Sequence, residues 1–171
     1  MKIMVASDIH GSIGAARMVM DKFDGLGCNK LLLLGDILYH GPRNDLPSDY
    51  APKEVIALLN GYKDKILAVR GNCDTEVDQM VLEFPIMAEY VYLVDEGQVI
   101  FATHGHHFSP EKLPPFIGEG DIFLYGHTHV ALDVVKSGIR FMNPGSPSIP
   151  KEGTKPSYIM IENGKAELIG F

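Results

Sequence analysis

Short apolar runs alternate with segments of helical spacing along the first part of the chain. "KIMVAS" reads as a buried strand. Ala16, Val19, Met20 and Phe23 then recur at i, i+3, i+4 and i+7, the stripe of a helix laid on a sheet. "KLLLLG" is a second strand. Beyond a loop containing Pro and Gly, Pro52 suits the first turn of a helix whose apolar face is Val55, Leu58, Leu59 and Tyr62, and "KILAVRG" supplies a third strand. This βαβαβ order with near-continuous apolar runs predicts parallel strands covered on both faces. From residue 90 the texture changes. "YVYLVDEGQVIFAT", "VALDVVKSGIRFM" and "SYIMIENGKAELIGF" each place a turn containing Gly between two strand-like runs, as hairpins do. The second half is therefore expected to be richer in antiparallel pairing.

Composition narrows the class. The 171 residues, 46% of them hydrophobic, suffice for one core, and no linker or low-complexity segment divides them, so a single domain over residues 1–171 is expected. No apolar window reaches the roughly 18 residues that a membrane span needs. Asp8 interrupts the N-terminal "MKIMVASDIHG" before a signal-peptide core develops, which makes the expected location cytoplasmic. Cys28 and Cys73 form no CxxC pair or disulfide framework, in keeping with a reducing compartment. A net charge of -7 without a Lys/Arg cluster argues against a broad nucleic-acid surface, so any grip on phosphate must be local. The hairpin edges offer surfaces for a homo-oligomer.

All 7 histidines stand at or just beyond the end of an apolar run: His10, His40, His104, His106, His107, His127 and His129. The runs end in "SDIHG", "GDILYHG", "RGNCD", "THGHH" and "YGHTH", so five predicted strands deliver coordinating groups to one edge. In open α/β sheets, sites form outside the carboxyl ends of the strands. Any single one of these residues would pass as a turn or capping residue; five such ends in succession point to a site. Asp8, His10, Asp36, Asn72, His104, His127 and His129 supply carboxylates, an amide oxygen and imidazoles, a mixture suited to manganese, iron, cobalt, nickel or zinc rather than calcium or magnesium. The set exceeds the needs of one tetrahedral ion and matches two divalent ions sharing a carboxylate.

In their order and at strand ends, the motifs Asp-x-His, Gly-Asp, Gly-Asn, His and Gly-His-x-His resemble the calcineurin-like metallophosphoesterase superfamily. "SDIHGS", "GDILYHGPRN", "AVRGNCD", "THGHHF", "YGHTH" and "NPGSPSIPK" are similar, more narrowly, to its small bacterial phosphodiesterases of the YfcE type. The resemblance implies an α/β fold: a four-layer sandwich of two mixed β-sheets flanked by helices. It implies one metal on Asp8, His10, Asp36 and His129 and another on Asp36, Asn72, His104 and His127, with Asp36 the bridge and manganese the expected ion. The implied activity is hydrolysis of a small phosphodiester by water or hydroxide activated between the ions. Asp36, Asn72, Cys73 and Asp74 form the implied catalytic group. Two departures qualify it. Many members of the superfamily carry His after Gly-Asn, followed by an acid that orients it; here Cys73 and Asp74 stand there, and a neutral thiol is a poor proton donor to a leaving group. Where its protein phosphatases have Asp-Arg, this chain has Tyr39 and His40, which argues against protein phosphatase activity.

His40, Arg43, Asn44 and His106 are further candidate substrate contacts, Arg43 because a guanidinium forks onto phosphate oxygens. Met4, Met18, Met20 and Met80 are expected to fill core, and "SPEKLPPFIGEGD" is either a border of the substrate cleft or a plain connector. The alternatives to a phosphodiesterase are a non-catalytic metal-binding or scaffold module of the same fold, as in a retromer coat subunit, and a nuclease or cyclic-nucleotide phosphodiesterase. Every expected ligand position is filled, which separates this chain from a scaffold free to lose them.

Overall fold

A computed structural model describes residues 1–171. Three strands and two helices occupy the first part: β1 (Lys2–Ala6), α1 (Ile13–Gly25), β2 (Lys30–Leu33), α2 (Pro52–Asn60) and β3 (Ile66–Ala68). A short helix α3 (Glu76–Val81) follows, then β4 (Tyr90–Asp95), β5 (Gln98–Thr103), β6 (Ile122–Leu124), β7 (Ala131–Lys136), β8 (Ile139–Pro144), β9 (Ser157–Glu162) and β10 (Lys165–Gly170). They build two mixed sheets, ordered β10-β9-β1-β2-β3 and β4-β5-β6-β8-β7. β1, β2 and β3 are parallel, as are β5, β6 and β8, while each of the three late hairpins is antiparallel.

The alternation of side chains along each strand explains the layers. Ile3, Val5, Leu32 and Leu34 point from the first sheet toward Ile100, Ala102, Ile122 and Leu124 of the second, forming a core between the sheets. Met4, Ala6, Leu31 and Leu33 point the other way, onto the stripe of α1 (Ala16, Val19, Met20, Phe23) and onto Val55 and Leu59 of α2. Ser12 caps α1 by accepting the Ala15 N–H. The outer face of the second sheet carries Phe101, Phe123 and Phe141, against which Phe108, Leu113 and Ile117 pack.

That last layer differs from the helical one expected. Residues 104–121 contain Pro110, Pro114 and Pro115, which deny the backbone continuous i to i-4 bonding, so an irregular connection covers the sheet in place of a helix. From Phe108 onward the segment is thus a packing element, and none of those residues lines the cleft at the strand ends. Met4 and Met20 are buried as expected, whereas Met80 is 83% exposed on α3, a helix that buries none of its residues. Leu58 and Tyr62 are half-buried, Tyr62 lying past the end of α2. No helix is long and apolar enough to cross a membrane.

Phe123 is fully buried in the aromatic cluster on which the irregular cover packs. Phe123→Ala should cost ~3–5 kcal/mol by emptying that space. Urea unfolding measures it, and a loss below ~1 kcal/mol would mean that residues 104–121 do not close this layer.

Candidate metal centre

Parallel pairing brings the carboxyl ends of β1, β2 and β3 to one place, and the pairing continues past the strands in irregular form. Leu34 N–H donates to Ala6 O, Asp8 N–H to Gly35 O, His10 N–H to Asp36 O and Gly11 N–H to Ile37 O. The second sheet is tied in by His104, whose Nδ1 lies 2.7 Å from Leu34 O, and by the His127 N–H, which donates to Asp8 Oδ2 at 2.9 Å. All the expected ligand residues therefore meet where the two sheets touch.

Five of them hold positive φ: Asp8 (56°), His10 (50°), Asp36 (54°), His127 (67°) and His129 (61°). Left-handed backbone costs a residue with a β-carbon about 1 kcal/mol or more, and it persists where surrounding bonds dictate it. Those bonds are visible. Asp74 is turned into the backbone: its Oδ2 accepts from Asp36 N and Gly71 N at 2.8 and 2.7 Å, and its Oδ1 from Ile37 N at 3.0 Å. Ser146 and Ser148 hydroxyls both donate to Asp8 O, at 2.7 and 3.0 Å. Asn143 donates to Gly126 O and to Thr128 Oγ1 and accepts from Gly145 N. Asp74, expected to orient residue 73, instead positions the Asp36 loop, because three buried N–H groups claim its oxygens.

The imidazoles are oriented from behind. His10 Nδ1 faces Tyr39 O at 2.8 Å, His104 Nδ1 faces Leu34 O, and His129 Nδ1 faces Ile149 O at 3.1 Å. A carbonyl can only accept, so each Nδ1 carries a proton and each Nε2 is turned inward as a donor of electron pairs. His10 Nε2 and His129 Nε2 then face each other at 3.1 Å, and His104 Nε2 lies 3.2 Å from His127 Nδ1 and 3.0 Å from Asn72 Oδ1. Asn72 is held that way round by its amide, which donates to Cys73 Sγ at 3.3 Å. Asp36 Oδ2 sits between the two groups, 3.6 Å from His10 Nε2 and 3.5 Å from His104 Nε2. Asp8 Oδ1 is buried without any hydrogen-bond donor, 3.3 Å from His129 Nε2.

Converging lone pairs and an orphaned carboxylate oxygen are what a cation would satisfy, and the donor set fits divalent metal. Electrostatics agree. Burial alone would hold His104 neutral, but its bond to Asp36 and the charges of Asp8 and Asp36 raise it to about 9. Burial opposes the charge on Asp8 too, yet the His10 and His129 imidazoles beside its Oδ1 and the charge of His104 hold it below the carboxylate range. Protons on imidazole thus stand in for cationic charge, and a metal would displace them. Burial and the charge on His104 lower His127, its close neighbour.

The centre opens into a cleft of about 290 Å³ that exposes Asp36, Asn72, Cys73, His127 and His129 at its base. Arg43, Asn44 and Lys151 stand on its rim, with Lys151 Nζ donating to Asn44 Oδ1 at 3.2 Å. Of the candidate substrate contacts, Arg43 and Asn44 line this cleft. His40 does not, and its ring packs edge-on between Tyr39 and Tyr50. His106 meets the His104 ring edge-on, centroids 5.3 Å apart, and also stays outside the lining. Sequence reasoning did not single out Lys151, Ser146, Ser148 or Asn143 by role. All lie in "NPGSPSIPK", which carries the family resemblance as a whole but assigns no role to any one of these side chains.

The calcineurin-like phosphoesterase superfamily domain matches residues 1–165. The chain belongs to the calcineurin-like phosphoesterase superfamily. Within it, the phosphodiesterase YfcE of Escherichia coli K12 is 49% identical over 169 residues, covering 99% of this chain and 91% of that protein. The solved structure of that E. coli phosphoesterase superimposes with a TM-score of 0.95, covering 99% of this chain and 93% of the other. A novel archaeal phosphodiesterase (TM-score 0.70, 23% identity, all of both chains) and a single mutant of Vps29 from Entamoeba histolytica (TM-score 0.62, 20% identity, 100% and 99% of the chains) share the fold. The superfamily's two-sheet architecture is accordingly the frame on which these seven side chains converge.

Gly71 packs directly on Asp36: an added Cβ would collide with Asp36 Oδ1 and its backbone N and lie 2.9 Å from Cγ. Gly71→Ala should therefore displace Asp36 and weaken divalent-metal uptake by about tenfold or more. Gly25→Ala, where nothing lies within 4 Å, should bind as the parent does. Calorimetric titration with manganese compares them, and parental uptake by Gly71→Ala would show that Asp36 is not held by this contact.

Proposed function

We propose that this protein is a metal-dependent phosphodiesterase that hydrolyses small phosphodiesters at the cleft below Arg43 and Lys151. The observation that carries the reading is Asp36 Oδ2 between two facing pairs of ring nitrogens, with Asp8 Oδ1 left unpartnered beside them. Asp8, His10, Asp36 and His129 would hold one divalent ion, and Asp36, Asn72, His104 and His127 a second, with manganese the preferred ion. Such a pair supplies Lewis acidity toward phosphoryl oxygens and lowers the pKa of a water. The 49% identity to a named phosphodiesterase supports the same chemistry here.

The chain's own groups set the rest. Arg43 and Lys151 attract and orient the phosphate anion, and Asn44, bonded to Lys151 and to His40 O, fixes one side of that rim. Burial, then the charge of Asp36, pushes the Cys73 thiol up to about 12, so it is neither a thiolate nucleophile nor a matched acid near neutral pH. Substrates with stable leaving groups, such as aryl diesters, follow from that. The likeness to Vps29 extends to the fold alone, and the complete donor set favours an enzyme over a scaffold. No run of basic residues supports a nuclease.

Elemental analysis after manganese loading and desalting should give two ions per chain. Because Asp36 faces both groups, Asp36→Asn should abolish measurable hydrolysis of bis(p-nitrophenyl) phosphate and lower the ion count, whereas Arg43→Ala should keep both ions and lose about tenfold or more in kcat/KM, chiefly through KM. A ratio of one at saturation contradicts the paired-ion reading. Cys73→His places an imidazole where the thiol stands. General acid help is typically ~10²- to 10⁴-fold; with Asp74 committed to the backbone, about tenfold is expected, seen as a rise in the rate on an alkyl diester relative to an aryl one. An unchanged ratio at full metal occupancy would mean that position 73 does not govern the leaving group.

A further inference from the structure

Cys73 lines a second concavity. On its far side an open cleft of about 370 Å³ lies among the loop after β2, helix α2 and helix α3, with Tyr39, Tyr50, Ile56, Cys73, Val77 and Val81 in its walls. Seven of its 11 lining residues are hydrophobic, against one of 11 in the metal cleft, so one small side chain separates two spaces of opposite chemistry.

Its walls are built as walls. Tyr39 meets His40 edge-on at 4.8 Å, and His40 meets Tyr50 at 5.3 Å, a row of rings that fixes both tyrosines. The Tyr50 ring lies so close over Gly11, the residue after His10, that no β-carbon would fit there. The aromatic wall is thereby keyed to the metal centre through adjacent residues. Opposite it, α3 buries none of its residues, and Val77 and Val81 are 68% and 42% exposed. Clustered apolar surface beside a polar site marks a place that something covers.

We propose that this cleft seats a planar aromatic or heteroaromatic ester arm of the substrate, with the phosphate in the metal cleft and the ester passing over Cys73. The inference rests on the phosphodiesterase reading above. It also gives position 73 a spatial role: the thiol is apolar and small enough to leave the passage open, with Gly41 so close that an added β-carbon there would come within 2.9 Å of Sγ. The cavity's volume falls in the range of small-molecule pockets, and its rigid aromatic wall favours a flat ring over a flexible alkyl chain.

Diphenyl phosphate and dimethyl phosphate carry the same anion on different arms, which makes them the probes. Each is tested on manganese-loaded protein as an inhibitor of bis(p-nitrophenyl) phosphate hydrolysis and, in a separate NMR titration of methyl-labelled protein, as a ligand. Diphenyl phosphate should inhibit about tenfold more strongly, the effect of burying one ring, and should shift the methyl signals of Ile56, Val77 and Val81, which dimethyl phosphate leaves in place. In the double variant Val77→Asn/Val81→Asn, changed only at exposed positions, that advantage should fall to about twofold, with inhibition by dimethyl phosphate unaltered. Equal inhibition by the two phosphates, or an advantage that survives the double variant, overturns the cleft's role while hydrolysis itself stands. Methyl shifts that follow protein concentration instead of ligand would assign the face to self-association and overturn it too. Absence of any diester hydrolysis removes the phosphodiesterase reading itself, and the substrate role of the cleft with it.

Discussion

Asp8 and Asp36 are buried carboxylates whose only charged neighbours within ion-pair distance are imidazoles: His10 and His129 beside Asp8, His10 and His104 beside Asp36. Burying charge without a strong counter-charge is costly, and neutral imidazoles do not supply one. The rest of the molecule is arranged around that constraint. Each histidine's far nitrogen is turned to a carbonyl, so the near one must offer a lone pair inward, and Asp8 Oδ2 is occupied by Ser7 and the His127 N–H while Oδ1 is left free. Such a centre has to take up positive charge, as protons or as metal.

Holding it requires backbone that the chain would not adopt alone. Left-handed φ at five of the seven proposed ligand residues is a local cost. It is offset by the irregular continuation of parallel pairing beyond β1 and β2, by the three N–H bonds onto Asp74, and by the two serine hydroxyls on Asp8 O. Burial pushes the Asp74 carboxyl up to about 6, so the same group that organises the Asp36 loop is itself held under tension by the apolar interior. The close approach at Gly71 belongs to the same system, since only a residue without a side chain lets the loop after β3 lie against Asp36.

Around the centre, surfaces of different chemistry meet. The protein carries a net charge of -7, yet Arg43 and Lys151 both line the cleft, with Lys151 bonded to Asn44 beside Arg43, a local cationic patch within an acidic molecule. Across Cys73 the surface turns apolar and aromatic. A thiol at this boundary is compatible with both sides. It adds no charge beside the buried carboxylates and imidazoles and little bulk between the two clefts.

Alternation and periodicity were enough to locate β1, α1, β2, α2, β3 and the three hairpins, because side-chain direction repeats every two residues in a strand and every 3.6 in a helix, and burial imprints that repeat on the sequence. The seven convergent donors were legible for a related reason: each follows an apolar run, and the chemistry of Asp, Asn and His is written in the residue type. What covers the outer face of the second sheet was not legible, since Phe108, Leu113 and Ile117 follow no period in a connection broken by prolines. Nor was the exposure of Met80, because α3 is too short to show a face. Asp74 illustrates the deeper limit. Its position beside Cys73 suggested a partner for that residue, but which donors a carboxylate meets depends on how backbone from β2 and β3 comes together. Residue types and their order decided which atoms could form the centre; the tertiary structure decided which way each one faces, because hydrogen bonds between residues distant along the chain set those directions and leave no periodic trace in it.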